Sequence, residues 1–210
     1  IYLRNATLYA DDMWDAVLEA GKKHNLMVIA PAHHRRIQAG ILSWGQDLDH
    51  EHNPFQCNLG YQVSLSGKGE WAKKGDYIGK QALEKMKADL KDGHKPYKLQ
   101  LVGFEIGGKP IDEYAPDFWL VSPGDGGDPC GFITSPWYHP EKGKNIAMGY
   151  IPFDGTLNPN GFPKWELGKK FKVHLPDIYA DEPGVPVDAV TVDVPFTESF
   201  NANTREVVKG

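Results

Sequence analysis

Apolar side chains recur at helical spacing in three segments of the first half of the chain. These segments cover residues 10–24, 32–44 and 80–90, and in each of them apolar residues lie three or four positions apart with charged residues between them. Two shorter apolar runs, at 26–29 and 59–65, have the length or the alternation of strands. The pattern therefore predicts three helices and two strands before residue 95.

The pattern changes after Lys95-Pro96 to short apolar runs separated by glycine and proline. Six runs of this kind are typical of a small antiparallel β-barrel or sandwich. The glycine-rich stretch at 124–129 has two aspartates and lacks the lysine and hydroxyl of a phosphate-binding loop, so we predict a turn there. The predicted strands cover residues 98–105, 118–121, 130–134, 146–151, 171–175 and 187–194.

The helical pattern before residue 95 and the strand pattern after it predict an α+β fold with two domains, residues 1–95 and residues 96–210. A chain of 210 residues is long enough to bury a core across one or two domains. The second domain is expected to be the small antiparallel barrel.

Composition excludes several classes of protein. The net charge of -5 argues against a nucleic-acid binder, because neutralising phosphates needs clustered lysine and arginine in surplus. No apolar run reaches the roughly 20 residues that span a membrane. The two cysteines, Cys57 and Cys130, form no metal or disulfide motif, which favours the cytoplasm. The start at Ile1, without methionine, suggests a piece of a larger protein.

Metal and covalent chemistry have little support in the sequence. Four histidines, at positions 33, 34, 50 and 52, could in principle gather around a metal, but adjacent histidines point to different faces of a helix and the other two lie in an acidic loop. We therefore predict no metal site. Serine-nucleophile motifs are absent, and Cys57 has no basic neighbour to lower its pKa.

Three aromatic residues and one arginine are the candidate binding residues. Tyr2, Trp44 and Tyr61 lie at or near the ends of predicted elements, where a planar ring can line a pocket and stack on a heteroaromatic ligand. Core packing is the alternative for each ring. Arg205 lies in a polar C-terminal stretch, where it is either solvated or, if the stretch folds back, able to bind a carboxylate.

Several motifs follow one another in a recognisable order. They are Arg36-Ile-Gln-Ala-Gly, Asn53-Pro-Phe, Leu59-Gly-Tyr, Asp76-Tyr-Ile-Gly-Lys-Gln-Ala-Leu and Ala147-Met-Gly-Tyr-Ile-Pro. Their order and spacing resemble the C-terminal half of the glycine-cleavage T-protein (aminomethyltransferase) family over nearly the whole chain. The stretch Asn53-Pro-Phe-Gln-Cys-Asn-Leu-Gly is most similar to the branch of tetrahydrofolate-dependent demethylases, such as dimethylsulfoniopropionate demethylase.

The resemblance implies the end of the family's folate-binding α/β domain, followed by its C-terminal barrel. It implies tetrahydrofolate as the cofactor, with Tyr2, Tyr61 and Arg205 near the folate or the substrate. The family's pterin-binding glutamate and catalytic aspartate would precede Ile1, so no catalytic residue is expected in this chain. Ala32 stands where the T-protein has a folate-contacting arginine, and folate-tail recognition must therefore differ.

The function implied by the resemblance is tetrahydrofolate-dependent transfer of a methyl group from a small sulfonium or amine compound. The missing N-terminal half of the same protein would be the partner. Aminomethyl transfer in glycine cleavage is one alternative. A folate-binding module that captures formaldehyde for a fused or associated demethylase or oxidase is another, and a structural remnant without folate is the third.

Overall fold

A computed structural model describes residues 7–29, 32–65 and 75–196 of the chain. The chain divides into two compact units, Ile1–Ala32 and His33–Gly210. None of the helices in the described ranges is long and apolar enough to cross a membrane.

The described part of the first unit, residues 7–29 and 32, contains one α-helix, α1 (Ala10–Gly21), between 3₁₀ turns at Thr7–Tyr9 and Lys22–His24. Two aspartates in its first turn favour the helix N-terminus, and Asn25, with a left-handed φ of 55°, stops the chain from continuing as a helix. The predicted helix at 10–24 is confirmed. Residues 26–29 were predicted as a strand, but they pair with no strand in the described part of the chain and are exposed.

The second unit begins with a helix much shorter than the predicted one. Helix α2 (His33–Gln38) ends because Gly40 adopts a left-handed φ of 67°. The Gly40 N–H then donates to the Ile37 carbonyl at 2.9 Å, and the Ile41 N–H donates to the Arg36 carbonyl at 2.8 Å. These two bonds are a Schellman motif, so the predicted extension to residue 44 was wrong.

A compact series of turns replaces the predicted strand at 59–65. Its central feature is a 3₁₀ turn at Gly60–Gln62, which follows Asn58 with a left-handed φ of 62°. Helix α3 (Lys80–Lys91) packs on these turns: its Leu90 joins Phe55 and Phe153 in a small apolar core. The predicted helix at 80–90 is thus confirmed, and the strand at 59–65 was wrong.

Six antiparallel strands form a closed barrel, as the six apolar runs predicted. The strands are β1 (Leu99–Ile106), β2 (Trp119–Pro123), β3 (Gly131–His139), β4 (Lys144–Pro152), β5 (Lys170–Val173) and β6 (Val187–Val192). Their order around the barrel is β1-β4-β3-β2-β5-β6. The stretch at 124–129 connects β2 to β3 as a turn region, as predicted.

The barrel wall at β1 and β4 is covered on both faces. Ala147 and Ile151 point into the barrel with Val102 and Phe104. The alternate residues of β4, Ile146, Met148 and Tyr150, form a second core with Ile37 of α2 and with Phe196. This outer core attaches residues 33–65 to the barrel, and the predicted domain boundary at residue 95 stays a prediction.

Candidate functional site

A pocket of about 530 Å³ lies where residues 39–61 meet the barrel. Its walls come from three parts of the second unit: the turn after α2, the turns at 57–61, and the barrel with the segments next to it. Most of the side chains are apolar, which is typical of small-molecule sites. The lining residues include Leu42, Leu59, Tyr61, Leu101, Met148, Trp165 and Val194.

Tyr61, predicted as a binding residue, lies on the wall of this pocket. Its side chain is 72% exposed, so it does not belong to the core. The turn that carries it is tightly packed: a Cβ atom on Gly60 would lie 2.8 Å from Phe162 and 2.9 Å from Phe55. Only glycine fits at this position, and the close packing holds the Tyr61 backbone in place.

The motif before Tyr61 builds the turn rather than carrying chemistry. The Asn53 carboxamide oxygen accepts the Gln56 N–H at 3.0 Å, which stabilises the first turn. Asn58 donates from its side chain to the Leu101 carbonyl at 2.7 Å, and buried Gln100 donates to the Asn58 side-chain oxygen at 2.5 Å. These bonds attach the turns to β1 and thereby fix one wall of the pocket.

Trp165 is a pocket residue that the sequence analysis missed. It lines the main pocket and also a neighbouring pocket of about 310 Å³, and Asn58 and Tyr61 line both pockets as well. The indole N–H donates to the Val192 carbonyl at 3.0 Å, which fixes the orientation of the ring. Trp165 lies in the loop before β5, where no periodicity marks it.

The other predicted site residues are not brought together at this pocket. Trp44 is 70% exposed and does not line either pocket. Tyr2 and Arg205 lie outside the described residues. The roles of all four candidates in binding therefore stay predictions, and only Tyr61 has a position at the pocket.

The sequence analysis also missed a buried carboxylate, that of Asp47. The Asp47 side chain is fully buried and accepts four hydrogen bonds: from Arg36 at 2.8 Å, the Ser43 N–H at 2.8 Å, the Thr134 hydroxyl at 2.5 Å and the Ser135 hydroxyl at 2.6 Å. A shift in the pairing of β3 with β4 at Ile133/Ser135 lets adjacent residues of β3 reach the same carboxylate. Asp47 therefore joins the segment after α2 to the barrel.

Tyr150 extends this network toward the pocket. Its hydroxyl donates to the Asp47 carbonyl oxygen at 2.6 Å and lies 3.4 Å from the Cys57 sulfur. Burial raises the pKa of Tyr150 well above its usual value, so the phenol stays protonated. Burial also raises the pKa of the Cys57 thiol, which lines the pocket. A protonated thiol is a poor nucleophile, and covalent chemistry at Cys57 is disfavoured.

The histidines that were weighed as metal ligands have other contacts. His33 accepts a hydrogen bond from the Arg36 Nε at 3.3 Å and stacks on Trp137 with ring centroids 6.0 Å apart. Its pKa is lowered by burial and then by the Arg36 charge. His52 lies 2.8 Å from an Asp49 carboxylate oxygen. In the described ranges, no three His, Cys, Asp or Glu side chains group together in a way that could hold a metal ion.

Comparison with known proteins finds similarity to aminomethyltransferases. No protein-family model matches it. The aminomethyltransferase of Chloroherpeton thalassium is 29% identical over 148 residues, which cover 70% of this chain and 36% of that protein. The aminomethyltransferase of Symbiobacterium thermophilum is 31% identical over 144 residues, 67% of this chain and 33% of that protein.

A relative with another activity in its name matches a larger share of the chain. Dimethylsulfoniopropionate demethylase of Ruegeria pomeroyi is 29% identical over 166 residues, which cover 79% of this chain and 38% of that protein. The aligned residues therefore span about a third of the length of these relatives.

The fold agrees with the sequence comparison. The crystal structure of the glycine cleavage system aminomethyltransferase T from Bartonella henselae matches with a TM-score of 0.53 at 20% identity, over 78% of this chain and 37% of that protein. The closed barrel and the helices before it confirm the predicted α+β fold. In sequence and in fold, this chain corresponds to the C-terminal half of the aminomethyltransferase (glycine-cleavage T-protein) family.

Proposed function

We propose that this chain is the C-terminal half of an enzyme that transfers a one-carbon group to tetrahydrofolate. The observation that carries the proposal is the sequence match to aminomethyltransferases and to a demethylase, together with the fold match to an aminomethyltransferase. We propose a small methylated sulfonium or amine compound as the donor, because the demethylase relative matches over the larger share of the chain.

The main pocket is suited to a planar heteroaromatic cofactor. It offers about 530 Å³, apolar walls and an exposed aromatic ring, Tyr61. Tetrahydrofolate, when bound, would supply the nitrogen that accepts the one-carbon group. The role of this chain would be to orient the cofactor and to exclude water through Leu59, Met148 and the rings of the pocket.

The partner in this proposal is the family's N-terminal half. The first unit supports it, because α1 has no buried residue while Trp14 is 54% and Leu8 88% exposed. Residues 26–29 add four exposed apolar side chains. Apolar surface of this extent on a short segment is typical of a face that another polypeptide covers.

Two alternatives remain within the same family chemistry. Aminomethyl transfer is favoured by the name that the Chloroherpeton and Symbiobacterium relatives share. A folate-binding module, assembled with a demethylase or oxidase that releases formaldehyde, would also use the pocket. The three functions differ in the folate product and in the need for a second catalytic protein.

The test is to identify the folate product by mass. The protein, with its N-terminal half, would be incubated with tetrahydrofolate and dimethylsulfoniopropionate, trimethylamine N-oxide or dimethylglycine. Methyl-tetrahydrofolate supports methyl transfer. Methylene-tetrahydrofolate that forms from added formaldehyde faster than in a protein-free control supports the binding module, and the same product from an added aminomethyl donor supports the glycine-cleavage reaction. The absence of any folate product beyond that control would contradict all three.

A further inference from the structure

We propose that Tyr61 and Trp165 form an aromatic clamp that holds a planar ring of tetrahydrofolate where the turns at 57–61 meet the barrel. This proposal rests on the function proposed above and names two residues that would contact the cofactor. The juxtaposition that carries it is that both rings line both pockets of this region.

The two rings are held by different parts of the fold. Tyr61 follows Gly60, whose position is fixed by the close approach of Phe55 and Phe162. Trp165 is oriented by the hydrogen bond from its indole N–H to the Val192 carbonyl at 3.0 Å. The backbone that carries Tyr61 and the ring of Trp165 are therefore held in place before binding, which lowers the entropic cost of binding.

Exposure separates these rings from core aromatics. Tyr61 is 72% exposed and Trp165 is half-buried, so each keeps a surface that a ligand can cover. Phe55, directly beneath the turn, is by contrast fully buried. An exposed aromatic ring beside an apolar cavity is costly to leave in water, and stacking of a planar ligand would remove both rings from solvent.

The shape of the region favours an elongated ligand with a planar part. The pockets of about 530 and 310 Å³ share Asn58, Tyr61 and Trp165. The larger one is lined mainly by apolar side chains, whereas Lys164 and Asp193 line the smaller one. An apolar ring therefore fits the larger pocket, and a polar extension fits the smaller pocket beyond the clamp.

The test measures tetrahydrofolate affinity by isothermal titration calorimetry on the protein with its N-terminal half. We expect Tyr61→Ala and Trp165→Leu each to weaken binding about tenfold, the size of a lost aromatic contact. Tyr61→Phe keeps the stacking face and should bind almost normally. Tyr114→Leu is the matched control, because Tyr114 is also exposed, at 53%, but lines neither pocket.

Binding of isolated ring compounds identifies the part of the cofactor in the clamp. Pterin-6-carboxylate and 4-aminobenzoylglutamate each carry one of its two ring systems, and the one that loses affinity in Tyr61→Ala is the clamped ring. Unchanged tetrahydrofolate affinity in both Tyr61→Ala and Trp165→Leu, with normal melting temperatures, would overturn the clamp and leave the proposed function standing. If the unaltered protein does not bind tetrahydrofolate, both proposals fail.

Discussion

The Asp47 carboxylate accepts four hydrogen bonds although its side chain is fully buried. We expect Asp47→Asn to lower the free energy of unfolding by about 3 kcal/mol, because Arg36 then loses its counter-charge in a site with little water. The two hydroxyl donors of β3 would also face an amide that can accept only on one side. Urea unfolding followed by circular dichroism measures the change.

The matched control is Asp49→Asn, two residues along the same segment. The Asp49 side chain is 41% exposed and pairs with His52 near the surface, where solvent screens the interaction. Its unfolding midpoint should stay close to that of the unaltered protein. Equal midpoints for the two variants would mean that Asp47 is not a stabilising connection.

His139 makes stability depend on pH. It is 1% exposed, its Nδ1 accepts the Lys142 N–H at 3.4 Å, and its Nε2 has no hydrogen-bond partner in the described structure. Burial lowers its pKa; nearby Glu141 and Glu105 oppose the effect and Lys142 adds to it. The unfolded chain therefore binds this proton more readily, and stability falls as the pH drops below about 6.5.

Unfolding free energies at pH 7.5 and 5.5 test this prediction. We expect a loss attributable to this residue that stays below about 1.4 kcal/mol per pH unit, because a single proton is bound. In His139→Gln the loss should shrink by that amount, although the variant itself is less stable at both values. His24→Gln, at an exposed position of the first unit, is the control. The same pH dependence in both variants would refute the assignment.

At the level of residues, the sequence predicted aromatic binding candidates but not the residues that surround them in the fold. Tyr61, which lines the pocket, was predicted as a binding residue because it follows Leu59-Gly60 in a recognisable motif. Trp165 and Asp47 were missed, because their roles depend on partners far away in the chain. Asp47 meets Thr134 and Ser135 only because the strand pairing shifts there. Such convergence is a property of the folded barrel and has no local signature.

Among the elements, the end of α2 gives a sharp prediction. Gly40 has a left-handed φ of 67°. A Cβ atom added to it would lie 2.4 Å from Cγ1 of Val194. Gly40→Ala should therefore lower the unfolding free energy by about 2–4 kcal/mol, from backbone strain and overpacking together. Thermal unfolding measures it.

A double variant separates the two causes. In Gly40→Ala with Val194→Ala the steric contact is removed, so only the backbone strain of about 1–2 kcal/mol should remain beyond the cost of Val194→Ala alone. Strict additivity of the two substitutions would show that the contact with Val194 carries no strain. The prediction concerns the pocket as well, because both residues line it.

The elements themselves were predictable where apolar spacing and local geometry agreed. All six barrel strands were predicted, because each combines a short apolar run with flanking turn residues. The helix over 32–44 was wrong because Ile41 and Leu42 continue the apolar spacing, whereas Gly40 ends the helix by its backbone. The strand over 59–65 was wrong because close packing beneath Gly60 imposes a turn. In both places tertiary contacts override periodicity.

For the molecule as a whole, two helices of equal length differ in how much of their surface packs against the rest of the protein. Both α1 and α3 have 12 residues, but α1 buries none while α3 buries Leu90 against Phe55 and Phe153. An isolated helix of this length is marginal in water, so its stability must come from packing. We therefore expect amides of α1 to exchange with deuterium at least about tenfold faster than those of α3 in the 210-residue chain.

Hydrogen exchange read out by mass spectrometry tests this difference and also bears on the proposed partner. The amides of β4, whose central residues are all buried, give the slow reference within the same sample. On adding the N-terminal half of the enzyme, exchange in α1 should slow while exchange in α3 stays unchanged, because only the exposed apolar face of the first unit becomes covered. Protection of α1 equal to that of α3 in the chain alone would mean that this face is already buried. The exposed face would then no longer be an argument for the N-terminal partner.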